Sequence, residues 1–187
     1  MRKLIMWNVI TLDGCFEGEK PWDLSFHELV WGKELEDFGN EQLASADMLI
    51  FGKHTYVGMA DYWSKAEEGA EGATAKNMNA IKKIVCSASL ERAEWNNTTI
   101  VREAVTEIQA LKQAGDRNMF VFGSGFLSES LMNANLFDEY RLVVAPVILG
   151  KGRRLFTEGL AHKKLELLEE RTLASGGVMV RYAPITP

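Results

Sequence analysis

The chain has 187 residues, of which 47% are hydrophobic and 25% are charged, and its formal net charge at pH 7 is −5. This length and ordinary composition predict one globular domain over residues 1–187 and argue against a disordered or fibrous protein. The negative charge argues against a broad nucleic-acid-binding surface, and no apolar run approaches the roughly 20 residues of a membrane-spanning helix.

The cysteines and histidines are widely spaced along the sequence. Cys15 and Cys86 lack the spacing of metal ligands, and His27, His54 and His162 form no cluster. The apolar run among the first ten residues is too short for a signal peptide. We therefore expect a cytoplasmic protein with free thiols, no metal site and no membrane segment.

The chain begins with an apolar segment that predicts a strand over residues 3–11, followed by the turn sequence L-D-G at 12–14. Asp13 is either a carboxylate at the edge of a cleft or an ordinary turn residue before glycine. Residues 17–31 are loop-like but rich in aromatic residues, so this loop either covers a flat ligand or is anchored to the core. The sequence slightly favours the core.

Residues 33–45 predict a helix with Leu35, Phe38 and Leu43 facing inward and with acidic residues such as Glu34 mostly facing outward. A second buried strand, 47–51, is followed by G-K-H-T-Y at 52–56. A lysine that follows a glycine turn can bind a phosphate, although surface lysines are common in such turns.

The middle of the chain continues the pattern of strands and helices. Residues 64–79 predict a surface excursion with a helix near 74–79. A third strand, 82–86, is followed by S-A-S at 87–89, where hydroxyl groups either bind a phosphate or ribose or simply form a turn. A short strand is expected at 98–101 and a helix at 104–113.

Residues 118–135 contain the strongest signal for a ligand-binding site. The apolar run at 119–122 predicts a buried strand, and G-S-G at 123–125 leads into a helix. The first turn of a helix has unpaired N–H groups that can hold a phosphate, and glycine permits a close approach. The alternative is a tight turn with Ser124 as the N-cap. Because Ser128 occupies the third glycine position, the dinucleotide fingerprint is incomplete.

The last third predicts a long strand over 138–149, a flexible basic loop at 150–154, and strands at 165–173 and 178–182 joined by a hairpin. The order of elements predicts an α/β fold with three layers. Its mixed, mostly parallel sheet has about eight strands, helices flank it, and the C-terminal hairpin is antiparallel.

Taken together, these motifs resemble the dihydrofolate-reductase-like superfamily, and within it the reductase domain of the riboflavin-biosynthesis deaminase–reductase (RibD C-terminal-like proteins). The matching segments, in chain order, are L-D-G at 12–14, G-K-H-T-Y at 52–56, V-F-G-S-G-F-L at 121–127 and the run D-E-Y-R-L-V-V-A-P-V-I-L-G-K-G-R-R-L-F at 138–156. The last run is the most specific, and the ordered set covers most of the chain.

The resemblance implies an NADPH-binding reductase of a small heterocyclic substrate that commonly forms a homodimer through its C-terminal strands. It places Asp13 near the substrate. The residues that it implies for the cofactor are Ile10 and Thr11 beside the nicotinamide, Gly52, Lys53, His54 and Thr55 at the phosphates, Ser87 and Ser89 at the 2′-phosphate, and Gly123, Ser124, Gly125, Phe126 and Leu127 at the pyrophosphate.

The sequence departs from the family in two ways. Relatives often have Gly-Gly, joined by a cis peptide in dihydrofolate reductases, where this chain has Gly123-Ser124, so this bond is either cis or trans with a shifted phosphate geometry. The zinc-binding deaminase motifs H-x-E and P-C-x-x-C do not occur, so this chain corresponds at most to the reductase half.

Three functional hypotheses follow. The first is reduction of 5-amino-6-(5-phosphoribosylamino)uracil or a similar compound, the second is a dihydrofolate or pteridine reductase, and the third is an NADPH-binding protein without catalysis. Asp13 is the candidate for orienting the substrate or relaying a proton, and Glu34 is the alternative. Arg153, with Lys151 and Arg154, is a candidate for a substrate phosphate; the alternative is a solvated turn or a dimer contact.

Overall fold

Apolar runs with few charges form the middle of an eight-stranded sheet in the computed structural model, which describes residues 1–66 and 72–185. The strands are β1 (Leu4–Thr11), β2 (Cys15–Glu17), β3 (Ala46–Gly52), β4 (Lys82–Cys86), β5 (Thr98–Val101), β6 (Asn118–Phe122), β7 (Glu139–Ala145), β8 (Arg153–Arg154), β9 (Leu165–Thr172) and β10 (Val178–Pro184). The strand order is β5-β4-β3-β6-β1-β7-β10-β9, and a separate pair joins β2 to β8.

The first six strands in sheet order, β5, β4, β3, β6, β1 and β7, run parallel, whereas β10 pairs antiparallel with both β7 and β9. Strand β1 lies centrally, with Ile5 opposite Phe120 on one side and Glu139 on the other. Because parallel neighbours share one direction, the carboxyl ends of the six strands meet at one edge of the sheet. This edge carries the turns that the sequence singled out.

Helices cover both faces of the sheet and give the three predicted layers. The helices are α1 (Lys33–Ser45), α2 (Lys53–Trp63), α3 (Gly72–Ala80), α4 (Ala104–Gln113) and α5 (Gly125–Asn133), with a 3₁₀ helix at Ser25–Leu29. Alternate residues of β1 divide between the faces: Leu4 and Met6 pack with α4 and α5, and Ile5 and Val9 face the side of α1 to α3. The predicted α/β fold class is confirmed.

Two details differ from the sequence-based expectations. The strand expected over 138–149 ends at Ala145, because Pro146 has no N–H to donate to the sheet, and Val147 instead donates its N–H to the carbonyl of Ala145. The basic loop is not free either, since β8 pairs with β2. Part of the expected surface excursion, residues 67–71, lies outside the described residues. Within the described part, no helix combines the length and the apolar character needed to cross a membrane.

Candidate active site

The turns after β3 and β6 are bound to each other at the carboxyl edge of the sheet. The Gly52 N–H donates to Ser124 Oγ at 2.7 Å, and Ser124 Oγ donates to Thr55 Oγ1 at 2.8 Å. A Cβ atom on Gly52 would lie 2.8 Å from Ser124 Oγ, so the close approach requires glycine. Two predicted phosphate-binding turns therefore form one continuous structure.

The G-S-G turn leads the chain directly into α5. Gly123 and Ser124 have φ values of 53° and 59°, and the bond between them is trans. The Gly123 N–H donates to Asn8 Oδ1 at 2.8 Å, which ties the turn to β1. Ser124 is the N-cap residue, but its side chain makes no capping bond. The first-turn N–H groups of α5 have no helical acceptors and remain available to an anion.

A polar corner forms where β4 and β5 end. Lys53 Nζ donates to Ser89 Oγ at 3.1 Å, and the N–H groups of Ser89 and Leu90 donate to Ser87 Oγ. Arg102 donates to the Ser87 carbonyl and is exposed. The sequence analysis did not single out Arg102. Its position directly after β5, the parallel neighbour of β4, was the signal that could have identified it. The corner combines two cations with two serine side chains.

The other residues predicted for the cofactor lie in different surroundings. His54 is exposed, Phe126 is 78% exposed, and Leu127 is buried in the core. Ile10 packs in the same core cluster, and Thr11 is fully buried. All five therefore lie at the carboxyl edge, at the end of β1 or in the first turns of α2 and α5, but two of their side chains are exposed and three are buried.

Asp13 holds the loop that follows β7. Its carboxylate accepts hydrogen bonds from Thr11 Oγ1 at 2.6 Å, from the Leu149 N–H at 3.2 Å and from the Gly150 N–H at 2.9 Å. The bond from Thr11, followed by the bond from Gly150, lowers the pKa of Asp13 to about 2. Asp13 is therefore ionised at neutral pH, and it lies outside the lining of the large cavity described next.

A cavity of about 540 Å³ opens between α1, α2 and the sheet, a size typical of small-molecule sites. Much of its wall is aromatic and is suited to a flat molecule. The rings come from β1, β6, α2 and the aromatic loop, and they include Trp7, Trp22, Trp31, Trp63, Phe120 and Phe122.

Three polar residues of the cavity wall each have a side-chain nitrogen without a partner. Asn8 Nδ2, His27 Nε2 and Gln42 Nε2 are buried without a hydrogen-bond partner, and all three residues line the cavity. Buried polar atoms without partners are rare in native proteins, so these three side chains are candidates for polar contacts with a ligand. The sequence carried one signal for this site, because Asn8 interrupts an otherwise apolar strand.

The two other predicted substrate residues face different partners. Glu34 accepts a hydrogen bond from the Ala174 N–H at 2.7 Å, beside the C-terminal hairpin, and Glu36 is the α1 acid that lines the cavity. Arg153 pairs with the buried Glu17 at 2.9 Å, and its guanidinium lies 5.8 Å from the centre of the Phe16 ring.

The aromatic loop, residues 17–31, packs partly into the core and partly over the cavity. Both interpretations of this loop therefore apply to different residues of it. Phe26 and Val30 are buried, whereas Trp22 and Trp31 line the cavity and remain 38% and 45% exposed. The Trp22 N–H donates to Glu17 Oε1 at 2.7 Å. The Trp22 ring lies against Gly58 of α2 so closely that a methyl group there would overlap it.

The cavity and the carboxyl edge share a boundary. Thr55 and Gly123 belong to the joined turns and also line the cavity, and Asn8 contacts both regions. A molecule held along the turns would therefore meet a molecule held in the cavity.

Comparison with known proteins identifies relatives over nearly the whole chain. The RibD C-terminal domain profile matches residues 2–179. The uncharacterized protein YyaP of Bacillus subtilis (strain 168) is 27% identical over 183 residues, which cover 97% of this chain and 94% of YyaP.

Solved structures show the same fold. A protein named for riboflavin biosynthesis from Shewanella sp. PV-4 has a TM-score of 0.79 and 17% identity, with coverage of 98% of this chain and 99% of that one. A diaminohydroxyphosphoribosylaminopyrimidine deaminase/5-amino-6-(5-phosphoribosylamino)uracil reductase from Thermotoga maritima has a TM-score of 0.67 and 14% identity, and the match covers 98% of this chain and 57% of that one.

Proposed function

The chain belongs to the RibD C-terminal domain family, and from this premise we propose that it is an NADPH-dependent reductase of a small heterocyclic substrate. The family and the fold support a reductase, and the residues at the carboxyl edge support the cofactor. The observation that carries the proposal is that Thr55 and Gly123 belong both to the joined turns and to the cavity.

The residues at the edge fit NADPH. A Cβ atom on Gly123 would lie 3.0 Å from Thr55 Oγ1, so glycine at this position lets the two turns pack closely together. The first turn of α5 offers N–H groups for the pyrophosphate, and Lys53 with the Ser87 and Ser89 region offers positive charge and hydroxyl groups for the 2′-phosphate. When bound, NADPH supplies the hydride.

The chain's own residues supply position and shielding from water. The joined turns fix one side of the boundary, and the aromatic walls and the Trp22 loop exclude water from the other. Asp13 is ionised at neutral pH, so its proposed role is to orient a substrate group or a water at the Gly150 loop, and it does not deliver a proton of its own.

The test measures NADPH binding by tryptophan fluorescence, together with NADPH oxidation in the presence of candidate heterocycles. Gly125→Val should abolish binding and leave the fold intact, because a Cβ atom on Gly125 meets the Phe16 ring at an ordinary 3.4 Å. The matched control is Gly32→Val, at a glycine with open space outside the edge.

Unchanged NADPH affinity in Gly125→Val would overturn the phosphate cradle, and failure of the wild-type protein to bind NADPH would overturn the cofactor assignment. Tight binding without oxidation by any candidate heterocycle would leave a nucleotide-binding protein and exclude the reductase.

A further inference from the structure

The cavity wall has acidic residues and lacks cationic ones. Among the described residues that line it are Glu17, Glu28 and Glu36, and none is lysine or arginine. The sequence outside the described part adds no lysine or arginine, since residues 67–71 read E-E-G-A-E and residues 186–187 read T-P. Burial lowers the pKa of His27 to about 4, so this side chain is uncharged at neutral pH.

Two arginines that contact residues of the wall already have acidic partners. Arg153 pairs with Glu17, and Arg141 pairs with Glu139 at 2.7 Å while it donates to Gln42 Oε1 at 3.1 Å. A phosphate group in this cavity would meet the carboxylates of Glu28 and Glu36, which pair with no cation among the described residues, and the like charges would repel each other.

The hydrogen-bonding pattern defines which atoms a ligand must offer. Asn8 uses Oδ1 to accept from the Gly123 N–H, and Gln42 uses Oε1 to accept from Arg141, so the amide nitrogen of each side chain is the atom left unpaired. Both unpaired atoms are donors. Both residues line the cavity while these two nitrogens are themselves buried, so a shift of either side chain would let a carbonyl oxygen or a ring nitrogen of a bound molecule supply the missing acceptor.

We infer that the cavity binds a flat, unphosphorylated heterocycle that presents acceptors to Asn8 and Gln42 and amino groups to Glu28 or Glu36. This inference rests on the proposed function and narrows its substrate. The first substrate hypothesis from the sequence was a phosphoribosyl compound, and the inference argues against it. It favours a substrate with a pteridine type of ring. The aromatic walls provide the stacking surfaces that such a ring requires.

Matched ligands test this inference without NADPH. The probes are 5-amino-6-(5-phosphoribosylamino)uracil and 7,8-dihydroneopterin 3′-phosphate, each compared with its dephosphorylated form. Binding is measured by tryptophan fluorescence, since Trp7, Trp22, Trp31 and Trp63 line the cavity. We expect at least one dephosphorylated ligand to bind at least about tenfold more tightly than its phosphate.

Tighter binding of either phosphorylated form than of its partner would overturn the inference, and so would binding of none of the four ligands. Neither result decides the cofactor assignment, because NADPH binding at the carboxyl edge is measured separately. A protein that binds a dephosphorylated ligand but not NADPH would keep this inference and lose the cofactor.

Isosteric variants test the two donors. Gln42→Glu and Asn8→Asp each keep the oxygen that Arg141 or the Gly123 N–H uses and replace the unpaired donor by an acceptor. We expect each variant to weaken binding of the dephosphorylated ligand at least about tenfold, whereas Gln109→Glu, at an exposed position of α4, should have no effect. Equal affinity in both cavity variants, with folding confirmed by circular dichroism, would contradict the assignment of the donors.

Discussion

At the scale of single residues, we propose that Lys53 and Arg102 allow the edge of the sheet to distinguish NADPH from NADH. Both lie beside the serines that follow β4, where Lys53 contacts Ser89 and Arg102 contacts the Ser87 carbonyl. A 2′-phosphate placed there would gain two charge-assisted hydrogen bonds, whereas NADH has no group at that position.

We predict that Lys53→Glu and Arg102→Glu each weaken NADPH binding at least about tenfold and change NADH binding less than about threefold. The measurement is a fluorescence titration with each nucleotide. Lys76→Glu changes the net charge equally at an exposed position of α3 and serves as the control. Equal losses for the two nucleotides would remove both residues from 2′-phosphate recognition.

Lys83 provides a second prediction at this scale, on stability. Its ammonium group is fully buried, donates to the carbonyls of Asn79 and Ile81 at 2.8 Å and lies 4.5 Å from the centre of the Trp95 ring. Burial lowers the pKa of Lys83 from 10.5 to about 8. Between these values the unfolded chain binds more protons than the folded one, so this lysine makes stability rise with pH.

Urea unfolding at several pH values between 8 and 10.5 tests this sign. Relative to Lys83→Met, the wild-type protein should gain stability as the pH rises across this window. Its exposed neighbour gives the control, since Lys82→Met should parallel the wild type. Parallel curves for wild type and Lys83→Met would show that the pKa of Lys83 is not lowered by folding.

At the scale of elements, the aromatic loop and α2 meet through one glycine. A methyl group on Gly58 would overlap the Trp22 ring, so Gly58→Ala must displace the ring that covers the cavity. We predict that Gly58→Ala weakens heterocycle binding at least about tenfold. In a Trp22→Ala background, the same change should stabilise the protein by about 0.5–1 kcal/mol, as alanine does in a helix.

Thermal unfolding and ligand titration of the two single variants and the double variant separate these effects. If Gly58→Ala is equally harmful with and without the Trp22 ring, the proposed contact between the loop and α2 is not the cause.

Strands β7, β10 and β9 are joined by a ladder of charges. Glu139 is 1% exposed and accepts from Arg141 and Arg181 at 2.7 Å, and Arg181 also pairs with Glu169 at 2.6 Å. Burial alone would raise the pKa of Glu139, but the hydrogen bonds from the two arginines lower it overall. Its stabilising effect is therefore present at neutral pH and is lost as the pH falls through its folded pKa.

We predict that Glu139→Gln costs about 3 kcal/mol at neutral pH, because two partly buried arginines lose their shared carboxylate. The difference from wild type should shrink as the pH falls below the ordinary pKa of a glutamate. Chemical unfolding measures both, with exposed Glu170→Gln as the control. A cost below about 1 kcal/mol would show that the ladder behaves as a surface salt bridge.

At the scale of the whole molecule, the outer strand β9 exposes an apolar surface at the edge of the sheet. Leu165, Leu167 and Leu168 are 41%, 51% and 46% exposed, and an open edge of this kind favours pairing with another chain. The expected homodimer stays a prediction. Leu167→Lys should yield a monomer by light scattering where the wild type is dimeric, and a monomeric wild type would contradict the expectation.

The order of elements could be predicted from the sequence because the buried strands are apolar runs bounded by turn residues. Helices α1 and α4 match their predicted ranges. The prediction of one strand over residues 138–149 was wrong, because Pro146 interrupts the hydrogen bonding. The carboxyl-edge turns were predictable for the same reason, since parallel strands place their ends together.

The cavity could not be predicted, because its wall comes from residues that only the tertiary fold brings together. Asn8 and Gln42 lie 34 residues apart in sequence, and only their hydrogen bonds to Gly123 and Arg141 show which atoms remain unpaired. The same limit applies to Glu34 and Glu36, since helical periodicity alone did not decide which acid faces the cavity.

A crystal structure of the protein with NADPH tests the central claim most directly. We predict that the pyrophosphate lies at the first turn of α5 beside Gly52, the 2′-phosphate near Lys53, and the nicotinamide against Thr55 and Gly123 at the mouth of the cavity. A cofactor bound elsewhere, or a carboxyl edge that stays closed at saturating NADPH, would contradict the account.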